Sequence, residues 1–376
     1  MKANAEAVPF LDLKAAYHEL KCEIDTAISR SLESGWYIGG AGVESFEAEF
    51  AEYVEAAFCV SVGNGLDALS LALRAVGVQS GDEVIVPSHT FIASWLAVSQ
   101  LGAVPIPVEC SADTFTINPS LIERAITAKT KAIIPVHLYG CPADLDPILE
   151  LARQYGLKVV EDAAQSHGAR YKGRRLGGHS DATAWSFYPG KNLGAFGDAG
   201  AVTTCDSSVA DRVQMLRNYG SKVKYVNDEL GVNSRMDPLH AAVLSVKLRS
   251  LDTWNKRRKV VAERYLEGLS MLDLIVPMVP EWAEPVWHLF VIRCSRRSEI
   301  QKELLDSGVG TLIHYPIPPH LQTAYRYLGI SAGRLPVAEM LANEVLSLPM
   351  GPHLGESGVE KAIYEMQHAV KKASSR

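Results

Sequence analysis

Short, wholly apolar runs alternate along the chain with longer runs that are apolar on one side only. Residues 83–87 (EVIVP), 103–108 (AVPIPV) and 131–136 (KAIIPV) read as strands buried on both faces. Between and after them, 92–101, 119–128 and 146–155 carry apolar residues at helical spacing. This alternation predicts an α/β fold, a mostly parallel sheet covered by helices on both sides. The character changes around Asp237. Residues 238–251 and 254–272 predict two long helices, the second rich in charge, and 287–293 (WHLFVIR) predicts one more strand. The expected division is a large domain over 1–245 and a smaller α+β domain over 246–376.

Composition narrows the class without naming a chemistry. A chain of 376 residues, 47% of them hydrophobic, is long enough for a large core and two domains. A net charge of −6 leaves no electrostatic footprint for nucleic acid or an anionic membrane surface. No apolar run approaches the ~20 residues of a spanning helix, and the first residues lack a secretory pattern, so a cytoplasmic protein is expected. Six cysteines are scattered without disulfide or metal-ligand spacing, and no metal site is expected.

Three segments carry candidate chemistry. In the stretch 184–200 (AWSFYPGKNLGAFGDAG) one lysine, Lys191, sits in a loop of small residues and glycines between two strand-like runs. Glycines let the backbone approach a flat ligand closely. A lysine in such a loop can lose its hydration and become a neutral nucleophile able to form a Schiff base. Upstream, 156–165 (GLKVVEDAAQ) is an apolar run ending in Glu161-Asp162, and ligands of open α/β sheets bind at such strand ends. An aspartate there can hold a proton on a pyridinium nitrogen. Earlier still, Val60-Ser61-Val62 meets Gly63-Asn64-Gly65, and Leu66, Leu69, Leu73 and Val76 follow at helical spacing. The unpaired amides of a helix start favour an anion, so Gly65 and Leu66 form a candidate phosphate cradle. Its spacing fits neither a Walker loop nor a dinucleotide fingerprint.

Lysine, ring-nitrogen acid and phosphate cradle are together what a pyridoxal 5'-phosphate (PLP) site requires. In order and wording, FYPGKNLG (187–194), EDAAQ (161–165) and NSRMD (233–237) resemble the DegT/DnrJ/EryC1/StrS family of PLP-dependent nucleotide-sugar aminotransferases, nearly end to end. The resemblance implies the aspartate-aminotransferase-like fold, fold type I. It implies that Lys191 links to the cofactor and carries a proton between substrate Cα and cofactor C4′, while Asp162 pairs with the ring nitrogen. Gln165 matches the family residue near the 3′ oxygen, and Phe91 matches the aromatic that stacks on the ring. Ser186 would join the amides of Gly65 and Leu66 at the phosphate. Many relatives carry Ser or Thr where this chain has Leu66, so the backbone must donate alone there. Asn233 would reach the phosphate of a neighbouring subunit, which implies a homodimer with shared sites.

For substrate, Asn218–Tyr225 is a basic, aromatic loop followed by Arg235, suited to a diphosphate and a sugar or thymine ring. Tyr219, Arg235, His314, Tyr315 and His320 are the candidates. The closest wording is that of aminotransferases acting at C3 of dTDP-linked 3-keto deoxysugars, with L-glutamate as amino donor. An aminotransferase acting at C4 of a nucleotide-linked 4-keto sugar is the alternative, and a sensor or scaffold without turnover is the third reading. The family's 3-dehydratases carry histidine in place of the lysine, so Lys191 favours transamination over dehydration.

Overall fold

The computed structural model describes residues 7–374. Its strands are β1 (Phe58–Val62), β2 (Glu83–Pro87), β3 (Val104–Val108), β4 (Thr130–Ile133) and β5 (Lys158–Asp162). A short hairpin, β6 (Arg170–Tyr171) and β7 (Arg174–Arg175), precedes β8 (Ala182–Ser186) and β9 (Gly200–Thr204). Among the described residues the main sheet has seven strands in the order β1-β9-β8-β5-β4-β2-β3. Strands β3, β2, β4, β5 and β8 run parallel, as the apolar runs predict. Strand β9 is antiparallel to both β8 and β1. The chain returns from β8 through the lysine loop without a crossover helix, and such a return pairs strands antiparallel.

Alternate residues of each strand feed opposite faces. Val84, Val86 and Val160 join one apolar cluster with α4 (Gly65–Ala75) and α5 (Ala93–Gln100). Ile85 and Val159 join another with α6 (Leu145–Tyr155). Trp185 and Ala201 pack with Phe46 and Phe50 of α3 (Ala41–Tyr53). Thus both faces are covered.

The segment expected as a helix over 119–128 forms two 3₁₀ turns instead, Pro119–Leu121 and Glu123–Ala125. Asn118 caps the first turn and Pro119 opens it, but Ile126 is already extended and the Thr127 amide turns to the Thr130 side chain. Beyond α7 (Ser207–Leu216), the long helices are α8 (Pro238–Leu248) and α9 (Leu251–Leu269). The division expected near residue 245 falls inside α8, whose Ala241, Leu244 and Leu248 are buried against the large layer. A separate core begins at Val261. It packs α9, α10 (Arg297–Asp306) and α12 (Glu356–Ser374) on an antiparallel pair, β11 (Phe290–Arg293) and β12 (Val345–Leu348). The remaining strand, β10 (Ala283–Glu284), pairs with β6, and α11 (Pro336–Glu344) precedes β12. Residues 287–289, expected as strand, instead run beside the 139–140 turn, to which the Val286 and Leu289 amides donate. That bend brings His288 to the lysine loop. None of the described helices is long and apolar enough to cross a membrane.

Candidate active site

The carboxyl ends of β5 and β8 and the chain leaving β1 lie at the same end of the sheet, where open α/β sheets bind ligands. Lys191 follows β8 in a loop closed on itself. The Lys191 amide donates to the Tyr188 carbonyl and the Ala195 amide to the Phe187 carbonyl. A Cβ on Gly194 would lie 2.4 Å from the Pro189 carbonyl oxygen, so only glycine fits that closure. Below the loop, Lys247 Nζ donates to the Gly194 carbonyl at 2.6 Å. Lys191 itself is half-buried, and burial pushes its amine down to about 8 while the attraction of Asp162 works against that fall. Its Nζ has no hydrogen-bond or ion-pair partner among the described residues. An amine so placed loses its proton, and becomes able to attack, far more readily than an exposed lysine.

Asp162 ends β5 and is 6% exposed. Its Oδ2 accepts from Ser94 Oγ at 2.9 Å and its Oδ1 from the Ala164 amide at 3.2 Å. Burial raises its pKa, and those two bonds and the Lys191 charge oppose the rise. The other member of the acidic pair faces away. Glu161 Oε2 accepts from His137 Nε2 at 2.9 Å, and Oε1 from Ser180 and Thr183 hydroxyls at 2.7 and 3.2 Å. Glu161 is therefore tied to its own neighbours, and of the acidic pair Asp162 is the one that lies near Lys191.

The expected phosphate cradle lies at the start of α4. Asn64 caps α4, its side chain accepting from the Asp67 amide, which leaves the Gly65 and Leu66 amides at an open helix start. Ser186 closes it: a Cβ on Gly65 would sit 2.5 Å from Ser186 Cβ. Leu66 turns its side chain into the core. Phe91 is 51% exposed, so core packing does not explain it; its ring lies 5.4 Å from that of Tyr315, tilted 38°. Gln165 is buried, accepting from the Tyr139 amide at 2.6 Å and donating to the Tyr315 hydroxyl at 3.1 Å.

The candidate substrate residues divide into three places. His314 feels the Lys191 charge, and the Tyr315 hydroxyl bonds Gln165 close to Asp162. His314 Nδ1 lies 2.8 Å from Ser347 Oγ, and burial with the Lys191 charge pushes its ring down to about 4. Tyr219 and Arg235 stack on each other at 5.6 Å. Arg235, with Arg217, Asn218 and Lys222, lines a separate cavity of about 380 Å³ that does not include Lys191. His320 is 2% exposed and sits 3.2 Å from Glu339 Oε1, a bond that ties a 3₁₀ turn to α11. No described contact joins His320 to Lys191, Asp162 or Tyr315. Asn233 is exposed and bridges to Asn218. In its own chain the neighbouring Ser234 is what touches this edge, accepting from the Gly63 amide at 2.9 Å and donating to Asp67 at 2.6 Å.

Sequence reasoning missed Ser94, Asn192 and His288. Asn192 Nδ2 bonds Asn255 Oδ1 and the Val286 carbonyl, both at 2.9 Å, and His288 Nδ1 lies 3.2 Å from Asn192 Oδ1. Only tertiary packing brings these partners together.

The residues fit the cofactor. A depressed, unpaired amine lies near one buried carboxylate, and the helix start beside Ser186 leaves no room for a Cβ at Gly65. Fold and site therefore define an enzyme of the pyridoxal phosphate, fold type I class. The chain belongs to the DegT/DnrJ/EryC1/StrS aminotransferase family, which it matches over residues 18–367. It is thus a PLP-dependent aminotransferase. It is 57% identical, over 95% of its length and 98% of the relative's, to the erythromycin biosynthesis sensory transduction protein EryC1 of Saccharopolyspora erythraea. To the dTDP-3-amino-3,4,6-trideoxy-alpha-D-glucose transaminase of Streptomyces venezuelae it is 56% identical, over 94% and 93% of the two chains. The crystal structure of S. venezuelae DesV with a ketimine intermediate superposes with a TM-score of 0.96 at 54% identity, covering 99% of this chain and 100% of that one.

Proposed function

We propose that the chain moves the amino group of L-glutamate to C3 of a dTDP-linked 3-keto-6-deoxyhexose, in two half-reactions of ping-pong order, as a cytoplasmic homodimer. The observation that carries the reading is the free, depressed Lys191 amine opposite Asp162, in a chain 56% identical to a dTDP-3-amino sugar transaminase. When bound, the cofactor supplies the electron sink for a deprotonated amino-bearing carbon. Lys191 Nζ takes the proton from that carbon and returns one on the other side of the reaction, which an amine near neutrality does in both directions. Asp162, held by Ser94 and the Ala164 amide, presents its carboxylate to a ring nitrogen. The Gly65 and Leu66 amides and the Ser186 hydroxyl hold a phosphate group. Phe91 and Tyr315 offer flat faces to the ring. His314, kept neutral, and Tyr315 line the approach for the sugar, while Tyr219 and Arg235 suit the nucleotide diphosphate. Asn233 is exposed in its own chain, which leaves it open to a second copy's phosphate.

One relative is named as a sensory protein, yet Lys191, Asp162 and Ser186 are all in place here, which supports turnover. The test is transfer from L-glutamate to a panel of dTDP-linked 3-keto and 4-keto sugars, with products identified by mass and NMR. A 3-amino product from the 3-keto sugars is expected. A 4-amino product would move the reaction to C4, and absence of transfer to every sugar would leave the proposal without a substrate.

A further inference from the structure

Leaving β4, the chain bridges Val136 to Asp162 and turns through Leu138–Gly140. Tyr139, in the middle of that turn, has φ 60° and ψ 8°, the left-handed region that a bulky side chain rarely takes. Such a conformation persists only where the surroundings fix it. Here they do, because every polar atom of Tyr139 is engaged. Its amide donates to Gln165 Oε1 at 2.6 Å, and its carbonyl accepts from the Leu289 amide at 3.2 Å. Its hydroxyl donates to the His314 carbonyl and lies 2.8 Å from His89 Nε2.

The directions of these bonds follow from the groups themselves. A carbonyl only accepts and a phenol has one proton, so that proton goes to His314 and His89 Nε2 donates to the phenol oxygen. Burial keeps the His89 ring neutral, pushed down to about 4. A backbone N–H only donates, so Gln165 turns Oε1 to Tyr139 and Nε2 to the Tyr315 hydroxyl, 3.1 Å away. Tyr139 thus holds two adjacent residues, His314 through its own hydroxyl and Tyr315 through Gln165. Lys191 and Asp162 are held by other groups: the lysine loop closes on the Tyr188 and Phe187 carbonyls, and Asp162 on Ser94 and the Ala164 amide.

We propose that Tyr139 is a positioning residue that sets His314 and Tyr315 for the sugar acceptor and takes no part in the half-reaction with L-glutamate. The assignment rests on the reading of those two residues as lining the sugar's approach.

Tyr139→Phe removes the hydroxyl and leaves the ring, beside Phe115 at 5.3 Å, and the backbone bond to Gln165. The two half-reactions of the holoenzyme are read separately. The first is followed by the spectral change of the cofactor on adding L-glutamate, the second by amino-sugar formation at increasing concentrations of the dTDP-linked 3-keto sugar. The KM for the keto sugar is expected to rise about tenfold, while the L-glutamate half-reaction stays within about twofold of wild type. An equal loss in both half-reactions with a lowered melting temperature would mark a merely structural residue and overturn the assignment, and so would an unchanged KM for the keto sugar. A wild-type chain that transfers to no keto sugar would overturn the reading beneath it, and the assignment with it. If Tyr139→Phe does not take up cofactor, a crystal structure of the wild-type holoenzyme with the dTDP-linked 3-amino sugar decides. The sugar against His314 or Tyr315, with the Tyr139–His314 bond closed, supports the assignment; a sugar bound elsewhere, or an open bond, overturns it.

Discussion

Lys191 makes the cofactor-free protein less stable than it need be, and replacing it with methionine should show by how much. The amine falls from 10.5 to about 8 on folding, a penalty on its charged form of about 3 kcal/mol at about 1.4 kcal/mol per pH unit. The attraction of Asp162 is already included in that fall. Below pH 8 the lysine is protonated both folded and unfolded, so the whole penalty applies. Between 8 and 10.5 the unfolded chain binds more protons than the folded one, stability rises with pH, and the penalty fades. Methionine keeps a straight stem of similar length without the charge. Cofactor-free Lys191→Met should therefore be more stable than wild type by about 3 kcal/mol at pH 7 and by roughly 1 kcal/mol at pH 10. Urea unfolding at matched chain concentration reads both values. A variant no more stable at pH 7, or an advantage that does not shrink at pH 10, would refute the placement of a desolvated amine at this position. The same variant should be inactive, a trade of stability for function at one residue.

Asp162→Asn should retain cofactor but lose transamination by several orders of magnitude, because an amide cannot hold the ring-nitrogen proton. In the same variant the Lys191 amine should fall further below 8, since Asp162 supports its charge, and the pH dependence of aldehyde capture would show it. Mixing inactive Lys191→Ala chains with chains inactivated by an Asn233 substitution should restore partial activity, because one site of a mixed dimer keeps both residues. Proven subunit exchange without rescue would return Asn233 to its own chain or deny it a cofactor role.

The parallel strands and the lysine loop were legible in the sequence because their signals are local. β2 and α4 lie where apolar runs and helical spacing put them. The run 119–128 misled because its apolar spacing suits a helix, while the β-branched Ile126 and Thr127 already extend toward β4. Strand direction was less visible: nothing in 201–204 marks β9 as antiparallel, which follows from the loop that precedes it. In the acidic pair the period of two sends Glu161 and Asp162 to opposite faces, but only the packing of His137 and Ser94 says which face is the site. Ser94 lies 68 residues from Asp162 and His288 lies 96 from Asn192, so no window along the chain could join them.

Lys191 alone should carry the cofactor and yield it to the amino donor. Borohydride reduction of the holoenzyme, followed by proteolysis and mass spectrometry of every lysine peptide, tests it directly. A reduced cofactor adduct is expected on Lys191 and no other lysine, and it should be lost when L-glutamate is added before the reductant. An adduct on another lysine, or one on Lys191 that L-glutamate leaves undiminished, would contradict that role.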